Sequence, residues 1–122
     1  MNVNEKYEKI LITIKKLLGI AESCTDFDID IITHINTAFM ILNQLGIGKE
    51  DYIMSDSEDT WDDFITEDDE KNLGAIKSYI HLKVKIMFDP PLNASVLESM
   101  QQTIKELEWR LNVKAESSKE EV

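Results

Sequence analysis

A single cysteine, Cys24, excludes an internal disulfide, and with only two histidines the chain cannot build a Cys/His zinc cage. A lone free thiol suits a reducing compartment. Nothing beside Cys24 in the sequence supplies the base that a nucleophilic thiol requires, so a structural role is the simpler reading. Glycine is scarce too. Gly19, Gly46, Gly48 and Gly74 match neither GxGxxG nor a P-loop, and the Gly46-x-Gly48 pair closes a helix instead of following a strand. This spacing argues against a nucleotide site, and no cofactor is expected. No apolar run approaches the roughly 18–20 residues of a membrane span. The opening MNVNEKYEKI places Glu5 and Glu8 where a secretory leader carries positive charge, which predicts a cytoplasmic origin.

Positive charge is the other shortage. Thirteen Lys and Arg face 24 Asp and Glu, a net charge of −11. A duplex-binding surface needs the reverse sign, because its affinity comes from displacing phosphate counterions. Eleven of the acids lie between Glu50 and Glu70, where there is no Lys or Arg, leaving 13 acids against 13 bases elsewhere. The whole surplus therefore sits in one 21-residue stretch.

What remains is a 122-residue chain, 43% apolar and 30% charged, the size and composition of one globular domain. Its apolar residues recur at helical spacing. Tyr7, Ile10, Leu11, Ile14, Leu17 and Leu18 predict a helix over 4–18, stopped by Gly19. Phe27, Ile31, Ile32, Ile35, Ala38, Phe39, Leu42 and Leu45 predict a second helix opening near Thr25–Asp26, with Thr25 and Asp28 as a capping box or Asp26 as the cap. Ile29, Met40 and Ile41 widen its stripe, which predicts a central place in the bundle. Lys49–Asp59 forms a connection in which 52–54 could be extended. Thr60 with Asp63 predicts a short helix over Trp61, Phe64 and Ile65. Thr66 with Asp69 opens a long helix over 67–88, with Leu73, Ile76, Ile80, Val84 and Met87 inward, stopped by Asp89-Pro90-Pro91. Ser95 with Glu98 opens a last helix carrying Val96, Leu97, Met100, Ile104, Leu107, Trp109 and Leu111. The expected fold is all-α: a small bundle of four main helices and one short helix over 1–113, with a long acidic loop. A flexible, disordered C-terminal tail is expected over 114–122.

Several chemical roles compete with structural ones. An EF-hand frame starting at Asp56 would put Trp61 where the calcium loop needs glycine, so no metal site is expected. Paired carboxylates do acid–base work only when burial raises a pKa, and this stretch reads as open. His34 and His81 read as ordinary helix histidines. Trp61 and Trp109 could be binding anchors or core, Trp61 being the better interface candidate because it lies in the irregular region. The acidic stretch could be a solvated loop, a channel lining that must not adhere to DNA, or a dock for a basic partner.

The segments Leu17–Ile20, FDIDIITHINTAFMILNQLGIG (Phe27–Gly48), TWDDFI (Thr60–Ile65), IKSYIHLKVKIMFDPP (Ile76–Pro91) and ELEWRL (Glu106–Leu111) resemble head–tail connector proteins of long-tailed bacteriophages and prophages. The most specific pieces are IN-x-A-x-x-x-L-x-Q-LG-x-G, K-x-Y-x-x-x-K-x-x-x-x-FDPP and ELEWRL. The resemblance implies a structural, non-enzymatic subunit of a ring, usually dodecameric, beneath the portal vertex. Such a ring extends the DNA channel and offers a docking platform to the tail. The implied partners are the portal protein, a tail-side adaptor or stopper protein and further copies of the chain. DNA passes without specific binding, and no membrane is involved. The implied location is the virion head–tail junction, with the host cytoplasm during assembly. On this reading Asp56, Glu58, Asp59, Asp62 and Asp63 are candidates for channel lining or docking. Trp61, Phe64, Lys114, Glu120 and Glu121 are candidates for interfaces. The rival readings are an acidic DNA mimic or regulatory adaptor, an unrelated helical adaptor working through Trp61 or Trp109, and a small metal-dependent enzyme for which no ligand cluster is visible.

Overall fold

The computed structural model describes residues 5–120, and among them there are five α-helices and no strand. They are α1 (Ile10–Leu18), α2 (Asp28–Gln44), α3 (Trp61–Phe64), α4 (Leu73–Phe88) and α5 (Ala94–Glu120), with 3-10 turns at Glu5–Tyr7 and Glu67–Asn72. None of these helices is long and apolar enough to cross a membrane.

The helix expected over 4–18 is broken, and its first residue, Asn4, lies outside the described residues. Lys9 is extended, and the backbone on either side of it bonds to the approach to α3 instead of to its own turn. The Ile10 N–H donates to the Asp59 carbonyl at 2.9 Å, and the Trp61 N–H to the Glu8 carbonyl at 3.2 Å. Tertiary pairing here overrides local propensity. Gly19 then closes α1 in the left-handed region, with its own N–H on the Lys16 carbonyl and that of Ile20 on the Lys15 carbonyl, a Schellman motif. Gly46 ends α2 in the same way, through the carbonyls of Asn43 and Leu42.

The caps divide. Thr60/Asp63 and Thr66/Asp69 both form reciprocal capping boxes, as expected. Thr25/Asp28 does not, because the Asp28 carboxylate is drawn to Lys15 Nζ, 2.9 Å away. Ser95/Glu98 does not cap α5 either. Asn93 Oδ1 takes the Ser95 and Val96 amides at 2.8 and 3.2 Å. The long helix expected from residue 67 begins as a 3-10 turn and becomes α-helical only at Leu73.

The core is one cluster. Ile10, Leu11 and Ile14 from α1, Ile31, Ile35, Phe39 and Leu42 from α2, and Ile76, Tyr79, Ile80 and Val84 from α4 are fully or almost fully buried. The hub is α4, which packs against α1, α2 and α5. The central place expected of α2 is thus overturned. The residues that widen its stripe face outward, with Ile29 81% and Met40 57% exposed. The C-terminal segment also differs from expectation. From Lys114 to Glu120 it continues α5, with Ala115 buried and the Asn112 carboxamide on the Leu45 carbonyl at 3.2 Å. Glu121 and Val122 lie outside the described residues. Lys15 holds the α1–α2 connection. Its buried ammonium donates to the carbonyls of Glu22 (3.0 Å) and Cys24 (2.6 Å), and Asp28 Oδ1 lies near it but off hydrogen-bond alignment.

Candidate assembly surfaces

The acidic connection is tied down along its length. Asn36 of α2 works like a strand neighbour for Met54, accepting its N–H at 2.8 Å and donating to its carbonyl at 3.1 Å. Asn43 donates to the carbonyls of Ile47 and Lys49 and accepts the Asp51 N–H. Between these anchors Phe39 stacks on Phe64 with centroids 4.0 Å apart, and Tyr52 meets both rings edge-on or tilted. Gly48 is required at this junction. Its φ is +84°, and a Cβ there would overlap the Phe64 ring. No extended pairing forms at 52–54; the nearest thing to a sheet is the lone bridge between Lys9 and Thr60.

Many of the acids have local work. Asp56 Oδ1 accepts the Glu58 N–H at 2.8 Å, and Glu58 pairs with Lys9 at 3.0 Å. Asp59 accepts the Tyr52 hydroxyl. Partial burial pushes the Asp59 pKa up, but the bonds from Tyr52 and from the Ser55 amide outweigh it, so the carboxyl titrates below its usual range. Burial, then the bond to Asp59, pushes the Tyr52 phenol up. Asp62 lies 4.0 Å from Lys6, whose pKa is raised mainly by its hydrogen bond to Glu70. Asp63 closes the α3 box. Asp69, almost fully buried, accepts both the Thr66 and Gly48 amides at 2.9 Å. The structure thus brings Asp56, Glu58, Asp59, Asp62 and Asp63 onto one tethered edge. Asp56, Glu58 and Asp63 are exposed there, and Asp59 and Asp62 are half-buried. Among the described residues no three His, Cys, Asp or Glu side chains converge as a metal would need.

Trp61 and Phe64 require correction as interface candidates, since both are fully buried. The Trp61 indole donates to Thr13 Oγ1 at 3.1 Å and has Lys77 Nζ over its ring at 5.8 Å. Phe64 is the partner of Phe39. They fasten the acidic edge to the body instead of meeting a neighbour. Lys114 is exposed beside a 220 Å³ cleft between the end of α5 and the Thr66–Asn72 turn, and Glu120 is the last residue of α5.

Two apolar surfaces stand out, the first not anticipated and the second foreseen only in Trp109 as a possible anchor. One is a groove of about 560 Å³ between α2 and the acidic connection, lined by Thr33, Thr37, Met40, Tyr52 and Ile53, with Glu50 and Asp51 at its rim. Ile53 is 71% exposed there. The other is Trp109, 66% exposed, with Val113 one turn on, along the outer side of α5. Both left a signal. The α2 stripe was too wide for one face. Trp109 is out of register with Ile104, Leu107 and Leu111, which form the packed side of α5.

No curated protein and no solved structure matches the chain. A family model described as phage connector protein matches residues 10–118, which takes in the body from α1 through nearly all of α5. The ordered connection, the Asn36 and Asn43 tethers and the packed end of α5 all fall inside that match, and the chain belongs to the phage connector protein family.

Proposed function

We propose that this phage connector protein is a virion structural subunit that closes into a ring beneath the portal, and that it lines the DNA path with its acidic edge while presenting its outer face to the next tail component. One observation carries the reading beyond the family. The chain's entire surplus of negative charge lies in a segment held to the body by Asn36, Asn43 and the Phe39–Phe64 stack. A tethered acidic edge repels phosphate from a fixed position, so a duplex can slide past without sticking. The DNA-mimic reading has weaker support, because Asp59, Asp63 and Asp69 are committed to internal bonds.

Electron microscopy of portal-bearing particles carrying the labelled chain should show a ring directly under the portal. Mature particles that lack the chain would overturn the proposal. For the channel, Glu67 and Asp68 are exposed and are the cleaner positions for charge reversal, because Glu58 and Asp59 hold Lys9 and Tyr52. Glu67→Lys with Asp68→Lys should slow DNA ejection; ejection at the normal rate counts against a lumenal edge.

A further inference from the structure

On α5 the large exposed apolar residues are Val96 near its start and, further along, Trp109 and Val113. At i and i+4 the last two stack into one apolar ridge. Covering this ridge would take apolar area out of water, and tryptophan is among the residues enriched at interface hot spots. The charges around it are unequal in their freedom. Glu106 is taken by Arg110 at 2.9 Å, and Glu108 turns inward to the Tyr79 hydroxyl at 2.7 Å. Lys105, one turn before Trp109, and Glu116, one turn after Val113, are both exposed, so the ridge carries a cation at its N-terminal end and an acid at its C-terminal end.

The groove between α2 and the acidic connection has the complementary character. Its volume of about 560 Å³ falls within the range of preformed binding clefts. Met40 and Ile53 give it apolar walls, and Glu50 and Asp51 give it an acidic rim. The carboxamides of Asn36 and Asn43 are already spent on the backbone of the connection, so an apolar occupant strands neither of them. The groove lies on the face of α2 turned from the core, and α4 packs between α2 and α5. Ridge and groove of one chain are thus kept apart, whereas those of two copies can meet.

We propose that the Trp109–Val113 ridge of one subunit seats in the Met40–Ile53 groove of the next, with Lys105 against the Glu50–Asp51 rim. This deepens the ring reading and rests on it. The contact joins two different patches of identical chains, which is the heterologous arrangement that closes into a ring when the rotation permits. A buried tryptophan supplies about 150–250 Å², against roughly 800 Å² per partner in a standard interface. The ridge is thus the anchor of a larger contact, completed by its neighbours on α2 and α5.

The test uses the full-length chain assembled on portal-bearing capsids and examined by electron microscopy, with self-association of the free chain followed by sedimentation. Trp109→Glu and Met40→Glu each replace an exposed side chain, so both should melt like the parent. Each should weaken self-association roughly tenfold or more and remove the ring. As a second measurement, Cys24→Ser chains carrying either Thr37→Cys or Val113→Cys are mixed and treated with a short bismaleimide. Cross-links should form only between the two kinds of chain. Rings that persist in both glutamate variants, or parental rings with no such cross-link, overturn the docking while leaving the ring reading intact. A parental chain that never forms a ring on the portal overturns both.

Discussion

Asn36→Ala offers the sharpest test of how the acidic edge is held. The substitution removes one side-chain amide and with it both hydrogen bonds to Met54, at 2.8 and 3.1 Å. Met54 is only 2% exposed, so its N–H and C=O lose their partners where water cannot readily replace them. A stranded buried polar group costs about 1–3 kcal/mol, and water reaching the half-buried Asn36 side relieves part of it, so the expected loss is about 2–4 kcal/mol. That is a large share of the roughly 5–15 kcal/mol of a typical domain, but leaves the chain folded. It corresponds to a fall in Tm of roughly 8–16 °C for a chain of this length. Urea unfolding followed by circular dichroism should show a lower midpoint with an unchanged slope. Limited proteolysis should open the 49–59 connection before any helix. Asn36→Asp, which keeps the acceptor for the Met54 N–H and loses the donor, should fall between the two. A loss under about 0.5 kcal/mol with the connection still protected would refute the reasoning, because the edge would then be held by the aromatic cluster alone.

Lys15→Met should cost about 2–4 kcal/mol in the same urea experiment, since it strands the carbonyls of Glu22 and Cys24 and leaves Asp28 without its cation; an unchanged midpoint would show that the α1–α2 connection holds itself. Of the three tyrosines, Tyr52 and Tyr79 have phenols pushed up first by burial and then by bonds to Asp59 and Glu108, so ultraviolet titration should show both ionising only as the fold opens. The sign follows from linkage: a raised phenol pKa gives stability that is complete below pH 10.0 and lost above it, whereas the lowered Asp59 pKa gives stability present above pH 3.8 and lost on further acidification. Asp59→Asn should therefore flatten the acid limb of the stability curve, and an unaltered limb would remove Asp59 from that role. Truncation after Ser118 keeps the Ala115 contact, so it should leave thermal unfolding unchanged and weaken attachment to the portal if the end of the chain docks there; normal attachment would mark the last four residues as dispensable.

The helices and their stops were legible because they are local. Ile10, Leu11 and Ile14, then Ile31, Ile35 and Leu42, then Ile76, Ile80 and Val84 repeat at the helical period and are buried where that period places them. Gly19 and Gly46 terminate, and the two threonine boxes cap, through atoms a few residues apart. The confinement of the net charge to Glu50–Glu70 and the family resemblance could likewise be read along the chain.

Long-range contacts decided the rest. The break at Lys9 comes from the backbone of Asp59 and Trp61, about 50 residues away. Trp61 and Phe64 looked available in an irregular acidic region, but Thr13 and Phe39 take them into the core. The end of α5 looked too polar to order itself. It is helical because Leu111 and Ala115 find apolar partners that no local pattern announces. Periodicity states which side of each helix is apolar, but it does not state which apolar side chains will find a neighbour within the chain. Trp109 and Met40 do not, and only the packed arrangement of α2, α4 and α5 shows it.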